Sequence, residues 1–308
     1  MLEEEEEDTI LGNEDRSIAS EERPQPASGS GSVLLSEDSS VPLNGGAAAV
    51  KEGAASEQVA RASADGSLPA SRGKLLIVIP AYNEGGRVGA VVADVRQALP
   101  DADVVVIDDG SEDATPAEAA AAGAIALSLP ANCGYGIALQ TGYKYAVRHG
   151  YELVGQIDAD GQHQAEFLSA MLDVLDEGGA DVVVGSRFLA KDGHYPTPFG
   201  RSLGIRLFAR LASLATGHVV TDPTSGFQVM RAEIARLFSS DVFPVDYPDA
   251  DILILLHRTG YRVREVPVQM RPSPGRSMHS TQSTPYYVYK MLLSILVTLM
   301  RPRAKVTR

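Results

Sequence analysis

Short apolar runs alternate with longer segments of helical periodicity from residue 74 onward. The apolar runs predict buried strands at 74–79 and 104–107 and further strands at 125–129, 153–157 and 181–185. The segments between them predict helices at 87–99, 114–122, 136–149 and 166–177. This alternation predicts an α/β fold, a mostly parallel sheet with helices on both faces. In such sheets, ligands bind beyond the carboxyl ends of the strands.

Two amphipathic helices are predicted nearer the C-terminus. Residues 201–215 place a broad apolar face opposite Arg206 and Arg210. Residues 286–300 are apolar except for one polar stripe, which recurs every four residues at Lys290, Ser294 and Thr298. Each helix either rests on a membrane surface or packs on the domain, and the sequence leaves both open. No segment reaches the roughly 20 apolar residues that span a bilayer.

The first 73 residues are expected to form a disordered, acidic, low-complexity tail. They hold 15 acidic and 5 basic side chains, and residues 3–8 are an unbroken acidic run. Their apolar surface is too small to offset the entropy lost on ordering. The folded domain is therefore expected to begin at residue 74 and to extend to residue 280.

Charge is distributed unevenly within the domain. Residues 74–186 carry a net charge of −12, whereas residues 187–308 carry +9. One half therefore suits cations and the other suits anions. Cys133 is the only cysteine, so no intrachain disulfide forms, and we expect it to be a buried thiol. The acidic N-terminus does not resemble a secretory signal peptide.

Asp158 and Asp160 follow the predicted strand 153–157. Alternate side chains of an extended chain point the same way, so the two carboxylates are expected on one side. Two hard oxygen ligands suit Mg²⁺ or Mn²⁺ that carries a phosphorylated substrate. A lone Asp-x-Asp is common, so the interpretation depends on its neighbours.

Four further groups of residues follow strands. Tyr82 and Glu84, after the first strand, could hold a base and a ribose, and Asp109, after the second, could accept ribose hydroxyls. Residues 132–136 open a helix with glycines that allow close approach of a ligand to the backbone. Residues 185–187, Gly-Ser-Arg, end the fifth strand. Each of these alone is explained as well by packing, a turn or a helix cap.

The order of these motifs resembles the family-2 inverting glycosyltransferases of GT-A (Rossmann-like) fold. Within them it is most similar to the dolichol- or polyprenyl-phosphate hexosyltransferases typified by dolichol-phosphate mannose synthase. The resemblance covers about residues 74–300 and rests on these segments: IPAYNE at 79–84, DDGS at 108–111, DADGQH at 158–163, GSR at 185–187, DPTSGF at 222–227 and EVPV at 265–268.

The resemblance implies a nucleotide-sugar half at 74–187, an acceptor half at 188–280, and a C-terminal amphipathic helix with a basic tail at 281–308. It implies that Asp160 and Gln162 hold the divalent cation. The implied donor-binding set is Pro80, Tyr82, Glu84, Ile107, Asp109, Asp158, Ala159 and Asp160.

The acceptor half is implied to bind a phosphate. Arg187, Arg201 and Ser225 match acceptor-phosphate positions, and guanidinium groups suit phosphate oxygens. The residues expected to carry catalysis are Asp158, Asp160, Arg187 and Arg201. An anionic phosphate acceptor needs no dedicated general base. If the acceptor is a hydroxyl, the candidate bases are Asp222, Asp249 and Asp251, each of which is as readily a cap or a surface acid.

The expected function is metal-dependent, inverting transfer of a hexose from a GDP- or UDP-sugar to polyprenyl phosphate. The expected location is the cytoplasmic face of the membrane. No nucleic-acid partner is expected, and the sequence does not decide whether the protein forms a homo-oligomer. One alternative is an enzyme that glycosylates a carbohydrate or glycolipid hydroxyl in cell-envelope polysaccharide synthesis. A second is a nucleotide-sugar-binding scaffold without turnover, against which the presence of Asp160, Gln162 and Arg187 argues.

Overall fold

Seven strands and eight helices are described by the structure, a computed structural model. It describes residues 73–189, 199–271 and 284–301, with only the backbone at 199–201 and 284–285. The strands are β1 (Leu75–Ala81), β2 (Asp103–Asp108), β3 (Ile125–Ser128), β4 (Leu153–Gln156), β5 (Val182–Ser186), β6 (Gln228–Arg231) and β7 (Val263–Pro267). The expected tail at 1–73 lies outside the described residues except for Gly73, as does the basic tail after residue 301.

The helices come between and after the strands. They are α1 (Val88–Ala98), α2 (Thr115–Ala121), α3 (Tyr135–Arg148), α4 (Phe167–Asp176), α5 (Phe199–Thr216), α6 (Ala232–Phe238), α7 (Ala250–Thr259) and α8 (Thr284–Met300). α1 buries the face predicted from its spacing, including Val88, Val91, Val92 and Val95. α7 ends at Gly260, whose φ of +89° is the left-handed conformation that favours glycine at a helix C-terminus.

The strands form one sheet in the order β3-β2-β1-β4-β6-β5-β7. β1 pairs in parallel with β2 and β4, β2 with β3, and β5 with β7. β6 is antiparallel to both of its neighbours, β4 and β5. The start of β6 therefore lies at the same edge of the sheet as the ends of β4 and β5, and this edge collects the candidate residues from both halves.

The sheet separates two hydrophobic cores. Alternate residues of β1 face opposite ways, so Leu76 and Val78 enter one core while Ile77 and Ile79 enter the other. The first core also contains residues of α3, α5, α6, α7 and α8, and the second contains residues of α1 and α4. The predicted α/β architecture with helices on both faces is confirmed.

The two amphipathic helices differ in detail from the prediction. α5 buries Ile205, Phe208 and Ala212 but exposes Leu203, Leu207 and Leu214, so its apolar residues do not share one buried face. α8 packs on α7 and buries Met291, Ile295 and Thr298. Within the described residues, no helix combines the length and apolar character needed to cross a bilayer.

Candidate active site

The loops that follow β1 and β2 are tied to each other by hydrogen bonds. The backbone N–H of Asn83 donates to Ser111 Oγ over 2.9 Å, and the N–H of Glu112 donates to Asn83 Oδ1 over 3.0 Å. Asn83 has a φ of +53°, which asparagine tolerates better than most residues. Tyr82 is 40% exposed at the tip of this loop, so its ring is available to a ligand at the sheet edge.

The other predicted donor residues of these strands are buried. Pro80 pairs in register with Ile107, and the Ile107 side chain packs in the first core. Any contact of Ile107 with a ligand must therefore use its backbone. Glu84 forms an ion pair with Arg87 over 2.8 Å. Burial raises the pKa of Glu84, with Asp160 and Asp158 adding to the rise and Arg87 opposing it.

Asp109 fixes the loop that leads into α3. Its two carboxylate oxygens accept the backbone N–H groups of Cys133 over 2.7 Å and Gly134 over 2.8 Å. Gly134 has a φ of +100°, a conformation that favours glycine. Asp109 thus holds the start of α3 against the end of β2, and ribose hydroxyls would share its oxygens with these amides.

Asp158 lies in a buried polar network beyond the end of β4. The Tyr135 hydroxyl donates to Asp158 Oδ1 over 2.8 Å and accepts from Gln156 Nε2 over 3.1 Å. His163 Nε2 lies 3.4 Å from Asp158 Oδ2, and its ring stacks on Phe227. Burial alone would raise the pKa of Asp158, but His163, Tyr135 and the charge of Arg187 outweigh it and lower the pKa. Asp158 is therefore a fixed carboxylate.

Asp160 is held by the residue that was predicted to share a cation with it. The backbone N–H and side-chain Nε2 of Gln162 donate to the two Asp160 oxygens over 3.0 and 2.5 Å. Burial and the charge of Asp158 raise the pKa of Asp160. The Asp158–Asp160 segment forms a turn rather than the extended chain expected, because β4 ends at Gln156.

These residues fit a divalent cation that arrives with a ligand. Among the described residues, no group of three His, Cys, Asp or Glu side chains is placed to hold a metal by itself. Mg²⁺ commonly takes one or two carboxylates and completes its shell with water and substrate phosphates. Burial, with the charges of nearby carboxylates added to it, raises the pKa of both Asp160 and Glu84, and such a cation would offset this negative charge. Gln162 would serve as a ligand once its amide oxygen faced the ion.

Arg187 is buried in a bidentate ion pair with Asp222. Its Nε and one terminal nitrogen each lie 2.6 Å from an oxygen of Asp222, and the same terminal nitrogen donates to Thr224 Oγ1 over 2.7 Å. Glu265 on β7 accepts the backbone N–H groups of Thr221 and Asp222. Asp222 is fully buried and engaged, so it is poorly placed to accept a substrate proton.

The other two predicted acceptor-phosphate residues are Ser225 and Arg201. The Ser225 hydroxyl donates to the carbonyl of Gly185 over 2.6 Å. Arg201 lies in α5, where only the backbone is described, so its guanidinium is outside the described atoms. The structure thus brings Arg187 and Ser225 to the same edge as Asp158, and it leaves the position of the Arg201 side chain untested.

Asp249 and Asp251 differ in their surroundings. Asp249 precedes α7 and accepts a hydrogen bond from the Tyr287 hydroxyl of α8 over 2.6 Å. Burial raises the pKa of Asp249 to about 7, and the charges of Arg187 and Asp158 also act on it. Asp249 therefore lies within electrostatic reach of Asp158 and Arg187. Asp251 is almost completely buried and accepts from Ser294 of α8, which indicates a structural role.

Sequence reasoning missed Tyr135, Gln156 and His163 as parts of the site. His163 stood within the DADGQH motif and Tyr135 within the segment 132–136, which were usable signals, but their bonds to Asp158, like the place of Gln156, depend on the tertiary fold. The prediction that Cys133 is a buried thiol was wrong. Cys133 is exposed, because its backbone, rather than its side chain, is turned towards Asp109.

Comparison with known proteins agrees with this geometry. Glycosyl transferase family 2 matches residues 76–238. Polyprenol monophosphomannose synthase of Mycolicibacterium smegmatis is 31% identical over 208 residues, 63% of this chain and 76% of that protein. Dolichyl-phosphate hexose transferase of Haloferax volcanii is 32% identical over 203 residues, 66% of this chain and 85% of that protein.

A solved structure shows the same fold. Glucosyl-3-phosphoglycerate synthase from Mycobacterium tuberculosis, in complex with Mn²⁺, UDP-glucose and phosphoglyceric acid, matches with a TM-score of 0.58 at 20% identity. The match covers 83% of this chain and 86% of that one. The sheet, its polar edge and these relatives define a glycosyltransferase with a GT-A fold. The chain belongs to glycosyl transferase family 2.

Proposed function

We propose that this glycosyltransferase moves a hexose from a nucleoside diphosphate sugar to polyprenyl phosphate, with inversion, at the cytoplasmic face of a membrane. The observation that carries the proposal is the meeting of two clusters at one sheet edge. Asp158, Asp160 and Gln162 follow β4, and the Arg187–Asp222 pair lies between the end of β5 and the start of β6. Relatives named for transfer to polyprenol and dolichyl phosphate support this choice of acceptor.

In the proposed donor site, Tyr82 and the loop after β2 hold the nucleoside, and Asp158 and Ala159 lie beside the diphosphate. Asp160 and Gln162 would hold Mg²⁺ or Mn²⁺, which would neutralise the charge that develops on the departing diphosphate. Asp109 holds the start of α3 in place through the amides of Cys133 and Gly134. The protein thereby keeps the donor end of the site organised before the ligand binds.

In the proposed reaction, an oxygen of the acceptor phosphate attacks the anomeric carbon of the sugar. The new bond joins that oxygen to the anomeric carbon, and the bond from this carbon to the diphosphate oxygen breaks on the opposite face. The nucleoside diphosphate leaves and the anomeric centre inverts. The acceptor oxygen is already anionic, so no side chain has to remove a proton from it.

Arg187, Arg201 and Ser225 are the proposed acceptor-phosphate residues. Arg187 is paired with Asp222 and Ser225 is bonded to Gly185, so both would exchange or share these partners on binding a phosphate. A buried guanidinium that already has a carboxylate partner is held in a fixed orientation, which favours specific contact with a tetrahedral anion.

A specific observation favours a second candidate acceptor, the hydroxyl of a carbohydrate or glycolipid. Asp249 has a pKa of about 7 and lies within electrostatic reach of Arg187 and Asp158. A carboxylate with a pKa near the operating pH is well suited to take a proton from a hydroxyl. Under this alternative Asp249 is the general base, and Asp222 and Asp251 are not, because both are buried and engaged.

Transfer assays with labelled donor separate the two acceptors. A panel of GDP- and UDP-hexoses is first screened with Mn²⁺ for thermal stabilisation, since a ligand that binds only the native state raises its melting temperature. The stabilising donor is then incubated with either polyprenyl phosphate or a glycan acceptor. Label in the lipid phosphate supports the proposal, whereas label only in the glycan overturns it.

Asp160→Ala tests the role of the metal site. Loss of this carboxylate should reduce transfer at least about 100-fold, since it removes charge stabilisation of the leaving group. The variant should keep its unfolding transition but lose the Mn²⁺-dependent part of the thermal shift with nucleoside diphosphate. Glu177→Ala, at a surface ion pair with Arg264 away from this cluster, is the matched control. Unchanged product formation by Asp160→Ala would remove the metal from the mechanism.

A further inference from the structure

The helix α8 is oriented with its polar stripe towards the domain and much of its apolar surface towards the outside. In the stripe predicted from the sequence, Ser294 donates to the buried Asp251 and Thr298 is buried, while Lys290 pairs with Asp246 of the domain at the partly exposed margin. The large apolar side chains that remain exposed on α8 are Tyr286, Tyr289, Leu292, Leu293, Leu296, Val297, Leu299 and Met300.

Met291 and Ile295 of α8 are buried, but the exposed apolar surface is larger than water favours. An amphipathic helix on a water-exposed surface buries its apolar residues and exposes its polar ones. A contiguous apolar patch on a soluble surface usually marks an interaction site. The inward polar contacts are specific and several, so the orientation of α8 is fixed by the domain. The outward surface therefore fits an apolar environment.

Its position relative to the site indicates which environment that is. Tyr287 of α8 donates to Asp249, and the charges of Asp158 and Arg187 act on Asp249. The helix that carries the apolar surface thus contacts the edge of the candidate active site. An acceptor whose hydrocarbon tail stays in a bilayer has to present its phosphate at this site, so the bilayer has to approach the protein here.

Basic groups accompany the apolar surface. α5 contacts α8 through Phe208 and Tyr287 and exposes Arg206 and Arg210. The sequence after α8 continues with Arg303, Lys305 and Arg308. Basic groups beside an apolar helix face attract anionic headgroups, and tyrosines favour the membrane–water interface.

We propose that the outward surface of α8, centred on Leu293 and Leu296, docks the protein onto an anionic lipid bilayer, with the helix lying along the membrane surface. The choice of a bilayer rather than a protein rests on the proposed function. α8 thereby acts as a fixed platform: its inner side holds Asp249 and Asp251, and its outer side contacts the lipid in which the acceptor is dissolved.

Vesicle flotation with the full chain tests this surface without any substrate. Wild type, Leu293→Glu/Leu296→Glu and the control Ile125→Glu are mixed with vesicles of phosphatidylcholine, with or without phosphatidylglycerol. Ile125 is a similarly exposed apolar residue on β3, at the opposite edge of the sheet from β7. The double variant should lose vesicle binding at least about tenfold while the control binds like wild type, because two acidic groups cannot enter the interface. Wild-type binding should increase with phosphatidylglycerol.

Other outcomes overturn the proposal. Wild type that stays at the bottom of the gradient, or a double variant that floats like wild type, removes the surface from lipid binding. A wild-type dimer that does not float, and that the double substitution converts to a monomer in sedimentation velocity, identifies the surface as a self-interface instead. Circular dichroism and urea unfolding check that each variant is folded.

A second readout separates this inference from the proposed function. Transfer is measured to a short-chain, water-soluble polyprenyl phosphate and to a long-chain one embedded in vesicles. The double variant should retain the first activity and lose most of the second. If wild type transfers to neither acceptor yet floats as expected, the proposed acceptor is wrong and the docking surface stands.

Discussion

Tyr135 shows how a single side chain organises this site. Its hydroxyl connects Asp158 to Gln156, and Gln156 in turn accepts from Tyr143. Burial and the charge of Asp158 raise the pKa of Tyr135 well above its usual value, so it stays a donor. A half-buried carboxylate with its orientation fixed by a neutral donor keeps its charge where a substrate can use it.

Replacing Tyr135 with phenylalanine should weaken catalysis more than folding. The change removes a donor from Asp158 and an acceptor from Gln156, so kcat/KM for the nucleotide sugar should fall about 10- to 100-fold, as for other residues that orient ligands of a site. Steady-state kinetics over a range of donor concentrations provides the measurement.

Tyr143→Phe is the matched control, because it breaks a bond of the same network one step further from Asp158. It should leave kcat/KM within about threefold of wild type. Each of the two variants should lose about 1–3 kcal/mol of stability, the penalty for an unpaired buried group. Equal kinetic losses in both variants would show that the network acts only by stabilising the fold.

The raised pKa of Asp249 predicts that the stability of the fold depends on pH. Burial raises its pKa in the folded state from 3.8 to about 7, so between these values the folded state binds a proton that the unfolded state has lost. This contribution to stability is complete at low pH and is lost as the pH rises through about 7. Asp249→Asn does not ionise, so its stability relative to wild type should increase from pH 4 to pH 7 by up to about 4 kcal/mol.

Urea unfolding of both proteins at several pH values checks this difference. A constant difference across the range would mean that Asp249 ionises like an exposed acid. The same variant separates the two acceptors, since transfer to polyprenyl phosphate should survive it, whereas transfer to a hydroxyl should fail without the general base.

At the scale of elements, glycine fixes how closely helices pack. In α3, a Cβ on Gly142 would lie 2.3 Å from Val78 Cγ1, whereas in α5 a Cβ on Gly204 would meet nothing within 4 Å. The first glycine therefore allows α3 to approach β1, and the second has no comparable packing role. A glycine in the middle of a helix therefore permits close packing in α3 but contributes nothing to packing in α5.

Alanine at the two positions should change stability in opposite directions. Gly142→Ala should destabilise the protein by about 1–3 kcal/mol through overpacking. Gly204→Ala should stabilise it by up to about 1 kcal/mol, since alanine is the better helix former. Chemical denaturation measures both changes, and loss of stability in Gly204→Ala would contradict the open surroundings of that residue.

The elements with a strong local pattern could be predicted from the sequence. The first five strands and the four helices among them occur where hydrophobic periodicity placed them, and β1, β2, β4 and β5 each bury a nearly continuous apolar run, whereas β3 is partly exposed. β6 has four residues and no local signal for its antiparallel position between β4 and β5. The division of the apolar residues of α5 between buried and exposed positions could not be predicted, because the helices it packs against, α7 and α8, are distant in sequence.

At the scale of the whole molecule, the sequence predicted the edge at which the site forms but not its internal bonding. Motifs after β1, β2, β4 and β5 gather at one edge, as expected for parallel strands. The Arg187–Asp222 pair and the Tyr287–Asp249 bond depend on segments 35 and 38 residues apart, and no periodicity encodes such contacts. The charge asymmetry between the halves, −12 against +9, agrees with a cationic ligand on one side and an anionic one on the other.

The placement of β6 has a consequence for attempts to build hybrid enzymes. The strand comes from the second half of the sequence but is inserted in the middle of the sheet, where it pairs with β4 from the first half. A chimera joined near residue 187 would therefore exchange a central strand together with the acceptor residues. Grafting the loops around Asp222 and Asp249 onto a related scaffold should alter acceptor choice while the sheet keeps all of its native pairings.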